Sequence, residues 1–320
     1  MITGVVGSSQ YVVPGSGTFR TSVPGGTGGT GTVGPKWSAA DGYVYWDDAA
    51  ADIMSTSPFP SGTFTDRITT GLAASADYDA VTQLSYQNGF WFLPANGTTT
   101  KQIHRINSSG WTVSSASVTP GPNTVLWHAG TSQYFAFGDG GQKWSSSNGT
   151  TWSKDEVITT GNINCAATNG TLIVVMSNTG ECYTSTNGTT WTSRTSSFGT
   201  TAVYRIEYVP TTRLANVSGT KGVWFATGAS GTAAYSTNGT TWTQKTTGAG
   251  GNIMMSTYHM GRFFALGNAS GQTLRRSDTS DPSGTWSQVS ATTYNDAQNG
   301  GSSGGYLYFI DTAGEFHYAR

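Results

Sequence analysis

The sequence predicts an all-β fold, a closed ring of seven four-stranded antiparallel sheets (a seven-bladed β-propeller), and three features carry that expectation. Short aromatic or β-branched runs alternate with Gly, Asn and Asp turns along the chain. A turn that ends on an aromatic residue returns at intervals of 39 to 51 residues, a period typical of propeller blades. The composition suits many tight turns: 44 of 320 residues are Gly, 12% are aromatic and only 10% are charged. Gly and Asn accept positive φ and Thr favours extended backbone, whereas a disordered chain would carry high charge and few aromatics.

The repeated turn is clearest as Ser-Thr-Asn-Gly-Thr-Thr-Trp-Thr, which occurs twice. One copy holds Ser185, Asn187, Gly188 and Trp191, and the other Ser236, Asn238, Gly239 and Trp242. A near copy holds Ser146, Asn148, Gly149 and Trp152. Weaker copies run from Ser277 through Gly284 to Trp286, and end on Trp111, Phe64 and, near the N-terminus, Phe19. Ser and Asn side chains bond backbone amides within such a turn, and Gly takes a conformation other residues resist. The closing Trp is expected to tuck between its own sheet and the next.

Between successive turns lies an apolar run: Tyr43–Trp46, Phe90–Leu93, Tyr134–Phe137, Leu172–Met176, Val223–Ala226, Phe263–Leu266 and Tyr306–Ile310. A short run precedes each and a Ser/Thr-rich one follows, so each interval supplies four strands, here lettered A to D from the inside out. No window keeps helical apolar spacing for three turns, because Gly interrupts each one. The expected blades span about 36–69, 80–115, 123–157, 162–196, 203–247, 252–290 and 293–320 of a single domain. The last has an A strand near Tyr294–Gln298 but no D strand, while Gly17–Val23 is a strand without a sheet. Pairing these termini closes the ring and removes an exposed edge. Pro24–Pro35, rich in Gly, then reads as a linker to the first blade.

On the quoted turns the chain resembles the Asp-box (BNR) repeat, roughly Ser-x-Asp-x-Gly-x-x-Trp, of sialidase-like and sortilin-like propellers. Asn148, Asn187 and Asn238 stand where that family has Asp, in a turn one residue shorter. The resemblance implies the C–D turn position, on the face opposite a sialidase active site. The family's Phe/Tyr-Arg-Ile-Pro motif is absent. Its nearest echo, Tyr204–Pro210, places Arg205 and Glu207 on one side of a strand, where an ion pair is expected.

Candidate chemistry is therefore sparse. Cys165 and Cys182 fall two strands apart in one sheet, beyond disulfide reach, and are expected as free thiols. His104, His128, His259 and His317 are too scattered for a metal set. We expect no cofactor and no metal. A candidate ligand rim gathers Asp47, Asp48, Asp77, Tyr78, Asp79, Asp139, Tyr294, Asp296 and Asp311 on the D–A and B–C loops. Asp is a turn residue before it is a catalyst, and no EF-hand-like run occurs.

A net charge of −1 without a basic run argues against nucleic acid, and no apolar stretch approaches a membrane span. The first residues lack a basic region followed by an apolar one, so no signal peptide is expected. Eight Asn-x-Ser/Thr sequons are better explained by turn chemistry than by glycosylation. In style the composition resembles bacteriophage tail, fibre or neck-associated proteins. The expected function is a non-enzymatic structural or binding propeller of a virion, assembled in the host cytoplasm, with other virion proteins or a host-surface glycan as partners. The alternatives are a glycoside hydrolase or lyase of sialidase-like propeller type using the rim carboxylates, and an intracellular assembly scaffold; the alternative location is extracellular.

Overall fold

The computed structural model describes residues 20–22, 36–40, 43–47, 53–56, 65–68, 84–97, 100–107, 112–214, 222–294, 299–303, 306–310 and 316–319. Strand β1 is Arg20–Ser22. Strands β2 (Lys36–Ala40), β3 (Tyr43–Asp47), β4 (Ile53–Thr56) and β5 (Thr65–Ile68) form one antiparallel sheet. The next holds β6 (Ser85–Gln87), β7 (Phe90–Asn96), β8 (Lys101–Asn107) and β9 (Thr112–Ser117). It is followed by β10 (Pro122–His128), β11 (Gln133–Gly138), β12 (Gln142–Ser146) and β13 (Ser153–Val157). Then come β14 (Ile163–Thr168), β15 (Ile173–Ser177), β16 (Cys182–Ser185) and β17 (Thr192–Arg194). The same order gives β18 (Val203–Val209), β19 (Val223–Gly228), β20 (Thr232–Ser236) and β21 (Thr243–Thr246). Strands β22 (Ile253–His259), β23 (Arg262–Gly267), β24 (Gln272–Ser277) and β25 (Trp286–Tyr294) follow. The C-terminal strands β26 (Asn299–Ser303), β27 (Tyr306–Ile310) and β28 (Phe316–Ala319) take β1 as their fourth. That pairing sets Arg20 opposite Tyr318 and Ser22 opposite Phe316.

The first strands of successive sheets lie side by side, from β2 against β6 through to β22 against β26, and β26 also lies against β2. Each sheet is thus covered on both faces by its neighbours. This explains why the second strands read as continuous apolar runs rather than as an alternation. Trp91, Phe92 and Leu93 are buried, as are Phe135 to Phe137, Ile173 to Met176, and Phe263 to Leu266. The core is a series of layers between sheets. Phe92 and Ile103 meet Val125, Tyr134 and Trp144 in one layer. Phe135 and Phe137 meet Ile163, Ile173 and Val175 in the next. Val223 and Phe225 meet Ile253 and Phe263 further round. Each such side chain contributes about 2 kcal/mol on burial, so the sheets hold one another in place.

The repeated turns are built alike. Ser146 Oγ accepts from the Gly149 amide at 2.8 Å, and Asn148 Oδ1 accepts from the Thr150 and Thr151 amides, both at 2.9 Å. Ser185 with Asn187, and Ser236 with Asn238, repeat these bonds at the same distances. Gly149, Gly188 and Gly239 take φ of +73°, +74° and +75°. The turn beginning at Ser277 is longer and bonded differently: Ser277 Oγ accepts from the Phe263 amide and donates to the Thr279 carbonyl.

Two expectations are corrected. The turn tryptophans pack against the preceding sheet and not the following one. Trp152 meets Phe92 edge-on at 6.4 Å, Trp191 meets Phe137 edge-on at 5.7 Å, and Trp286 stacks on Phe225 at 5.5 Å. The cause is the turn itself, which folds over the preceding sheet so closely that a Cβ on Gly149 would lie 2.7 Å from Phe92 Cζ. Second, Tyr294 does not begin the inner strand of the last sheet. It ends β25, nine residues long, with Thr293 opposite Thr273 and Tyr294 opposite Gln272 across a bulge that lengthens the strand. The inner strand of the last sheet is Asn299–Ser303.

Candidate binding surfaces along the inner strands

An innermost strand has one free edge, and its unpaired amides and carbonyls need partners. Here side chains from the neighbouring inner strand supply them. Ser85 Oγ faces the Val125 carbonyl at 3.4 Å, and Gln87 Oε1 accepts from the Trp127 amide at 3.2 Å. Asn123 Nδ2 donates to the Ile163 carbonyl at 3.1 Å, and Asn164 Nδ2 to the Val203 carbonyl at 2.9 Å. Glu207 Oε2 accepts from the Tyr258 amide at 2.9 Å. His128 Nδ1 lies 2.8 Å from Thr168 Oγ1, and His259 Nδ1 lies 2.8 Å from Ser302 Oγ. Each partner is 39 to 51 residues away, one sheet further on.

Of the expected rim residues, Asp139 is the one whose surroundings are described in full. It follows β11 and accepts from Asn96 Nδ2 at 3.0 Å and from Asn123 Nδ2 at 3.3 Å. Asn96 also donates to Asn123 Oδ1 at 2.6 Å, so three side chains from two sheets close on one another at the ends of β7 and β11. Asp47 ends β3 opposite Lys36. Tyr294 is buried, edge-on to Phe309 at 4.8 Å, and offers no exposed ring. Asp48, Asp77, Tyr78, Asp79, Asp296 and Asp311 lie outside the described residues, as do Phe19, Phe64, Trp111 and the Pro24–Pro35 segment.

At the opposite ends of the inner strands a second group converges. Burial pushes the Glu207 carboxyl up to about 7, opposed by the Tyr258 N–H bond and by Arg213. The Arg213 guanidinium stands 5.9 Å from the centre of the Tyr258 ring. Burial takes His259 down to about 4, helped by Arg213. Away from this group, on the third strand β8, burial takes His104 down to about 4 as well. Arg205 and Glu207, expected to pair, have separate uses: Arg205 Nη1 donates to the Tyr204 carbonyl, while Glu207 crosses to the next sheet. Cys165 and Cys182 are free and buried on either side of Met176, and burial pushes both thiols up to about 12. A protonated, enclosed thiol is a packing group and a poor nucleophile.

No protein-family model matches the sequence, and no curated protein matches it. Solved structures do match. One, described as YCF48 bound to D1 peptide, superposes with a TM-score of 0.64 at 14% identity, over 94% of this chain and 96% of that one. YCF48 is a β-propeller. This chain has the β-propeller fold. The likeness fixes the architecture alone, and the residues must speak for the sites.

What sequence reasoning missed is the set of inner-strand side chains: Gln87, Asn123, Asn164, Glu207 and His259. A signal was present, since Asn123 and Asn164 each stand one residue into an inner strand, at the repeat spacing. Chemically, Gln87, Asn123, Asn164 and Glu207 are already engaged by backbone, and His259 by the Ser302 hydroxyl. Among the described residues no group of three or more His, Cys, Asp or Glu is placed to hold a metal ion. No helix among them is long and apolar enough to cross a membrane.

Proposed function

We propose that this chain is a non-catalytic binding and structural propeller of seven blades, with Gly17–Val23 completing the last blade and Asp-box-like turns on one face. Its setting in this reading is a virion, in the tail, fibre or neck, where it takes part in particle assembly or in recognition of a host-surface glycan. The observation that carries the non-catalytic part is how the acidic groups are used. Asp139 is occupied by two Asn amides, Glu207 by a backbone amide, and Asp155 and Glu156 by Lys143. Glu181 is drawn upward by burial but held lower overall by bonds from Thr159, Thr179, Ser177 and Tyr183. Hydrolysis of a glycoside needs two carboxyls facing one bond about 5–9 Å apart, with at least one free to exchange a proton. Carboxylates committed to bonds within and between sheets serve assembly of the blades instead.

The test is a pair of measurements on the purified full chain. A glycan array is expected to return saturable binding, and incubation with sialosides and bacterial polysaccharides is expected to release no product. Turnover that disappears in Asp47→Ala or Asp296→Ala would overturn the non-catalytic reading in favour of a rim hydrolase or lyase. Mass spectrometry of purified particles checks the setting: the chain is expected at a fixed stoichiometry, and its absence from them removes the virion.

A further inference from the structure

At the outer corners of three sheet boundaries among the described residues, a cation of one sheet meets the turn of the next. Arg105 Nη1 donates to the Asn148 carbonyl at 2.6 Å. Lys143 Nζ donates to the Gly188 carbonyl, and Lys245 Nζ to the Ser283 carbonyl at 2.8 Å. The boundary between the β14–β17 and β18–β21 sheets departs from this pattern. Its cation, Arg194, turns back to its own sheet and donates Nε to Thr184 Oγ1 at 3.0 Å.

Three substitutions between consecutive repeats accompany this departure. Three residues before the turn serine stands Lys143 in one sheet and Cys182 in the next. Three residues after the turn tryptophan, Asp155 gives way to Arg194, and one residue later Glu156 gives way to Thr195. In the earlier boundary Lys143 lies 3.2 Å from Asp155 and 3.1 Å from Glu156, and Glu156 accepts from Trp191 Nε1 at 3.0 Å. Those groups fill the corner and leave it with a net negative charge. Shortening Lys to Cys and Glu to Thr empties the corresponding corner, and Asp to Arg reverses its charge. What remains is an open groove of about 390 Å³ lined by Ser193, Arg194, Thr195, Thr240, Thr241 and Trp242. No acid lines it, and among the described residues none of its four hydroxyl groups is bonded to another protein group.

We infer that this groove binds an acidic sugar, a uronic acid residue of a glycan. Its carboxylate would meet the terminal amino groups of Arg194 and its ring hydroxyls would meet Ser193, Thr195, Thr240 and Thr241. A guanidinium offers paired N–H groups matched to a carboxylate, and the Thr184 bond fixes its orientation without using those groups. Ser and Thr hydroxyls both donate and accept, as sugar hydroxyls require. The volume falls in the range of small-molecule sites. A neutral sugar would leave the guanidinium unanswered, and a bare anion would leave the hydroxyls unused. The inference rests on the glycan arm of the function proposed above, and names its chemistry and place.

The test is ligand-observed NMR titration of the full chain with D-glucuronate, D-glucose and inorganic sulfate. Glucuronate is expected to bind with Kd on the order of 1 mM, and glucose and sulfate about tenfold more weakly. Arg194→Gln should weaken glucuronate about tenfold. Thr195→Glu, an exposed position that regains the acid of the neighbouring boundary, should do the same with the melting temperature unchanged. Equal binding of glucose, equal binding of sulfate, no saturable glucuronate binding, or full binding by Thr195→Glu would each overturn the site. A polymer that still binds Thr195→Glu on the array would leave the broader function standing while removing this groove from it.

Discussion

Lys143 reaches the Gly188 carbonyl from a position only 1% exposed, with Asp155 and Glu156 within 3.2 Å of the same ammonium. One cation thereby ties a sheet to the turn of the next, and its ammonium stands 5.3 Å from the centre of the Phe135 ring. Replacing it with an apolar residue of similar length strands two carboxylates and one carbonyl. Both carboxylates keep some access to water, so the loss falls below that of a fully buried pair. Lys143→Met should lower stability by about 2–3 kcal/mol. Chemical denaturation with intrinsic tryptophan fluorescence measures this directly, and an unchanged midpoint would show that the corner is not a fastening.

Glu207 predicts a pH dependence whose sign is set by burial. Its carboxyl titrates at about 7 in the folded chain, against an ordinary value of 4.5. The folded state therefore holds this proton more tightly than the unfolded state does. Stability is highest below pH 4.5, falls as pH rises through 7, and then levels off. The shift corresponds to at most about 3 kcal/mol. Glu207→Gln should erase it, because Gln also accepts an amide bond, as Gln87 does from Trp127 three boundaries earlier. The variant is expected to match the parent near pH 5 and to melt higher at pH 8. A parallel pair of melting curves across that range would refute the assignment.

The buried histidines predict the opposite slope. His104 and His259 are both lowered to about 4 by burial, from an ordinary value of 6.5. The unfolded chain takes up protons on them first, so their contribution is present above pH 6.5 and is lost as pH falls through 4. His259→Asn, with an amide that still reaches toward Ser302, should move the acid unfolding midpoint to lower pH. It should leave the Glu207 step near 7 in place. Far-UV circular dichroism between pH 3 and 8 separates the two transitions.

The parts of this molecule legible in its sequence are those whose bonds close locally. In Ser185–Trp191 the hydrogen bonds that Ser185 and Asn187 accept from backbone amides each span two or three residues, so the motif carries its own geometry wherever it is written. The apolar second strands were legible because both faces of a sheet are covered, which removes the alternation. The end of β25 was not, because Thr- and Tyr-rich residues suit an outer strand as well as an inner one. The choice was made by pairing with β24 across a bulge. The inner-edge contacts were hidden for a related reason. Asn164 and Glu207 look like ordinary polar residues until a backbone 39 or 51 residues away is brought beside them. The Arg194 groove was hidden twice over, since it is defined by what the preceding repeat has at the same positions.

Gly188 and Gly140 separate two costs that glycine avoids. Both have positive φ, +74° and +60°, so a side chain at either strains the backbone by about 1 kcal/mol. They differ in surroundings: a Cβ on Gly188 would overlap the Phe135 ring, whereas a Cβ on Gly140 would meet nothing within 4 Å. Phe135 is 1% exposed and packed between two sheets, so it has nowhere to move. Gly188→Ala should therefore add an overpacking cost of about 1–3 kcal/mol to the backbone cost, while Gly140→Ala carries the backbone cost alone. Urea denaturation of the two variants side by side measures the difference. Equal losses would mean that the repeated turn owes its glycine to conformation only. A larger loss at Gly188 would mean that the turn is also shaped to seat on the sheet before it, which is why its tryptophan points that way.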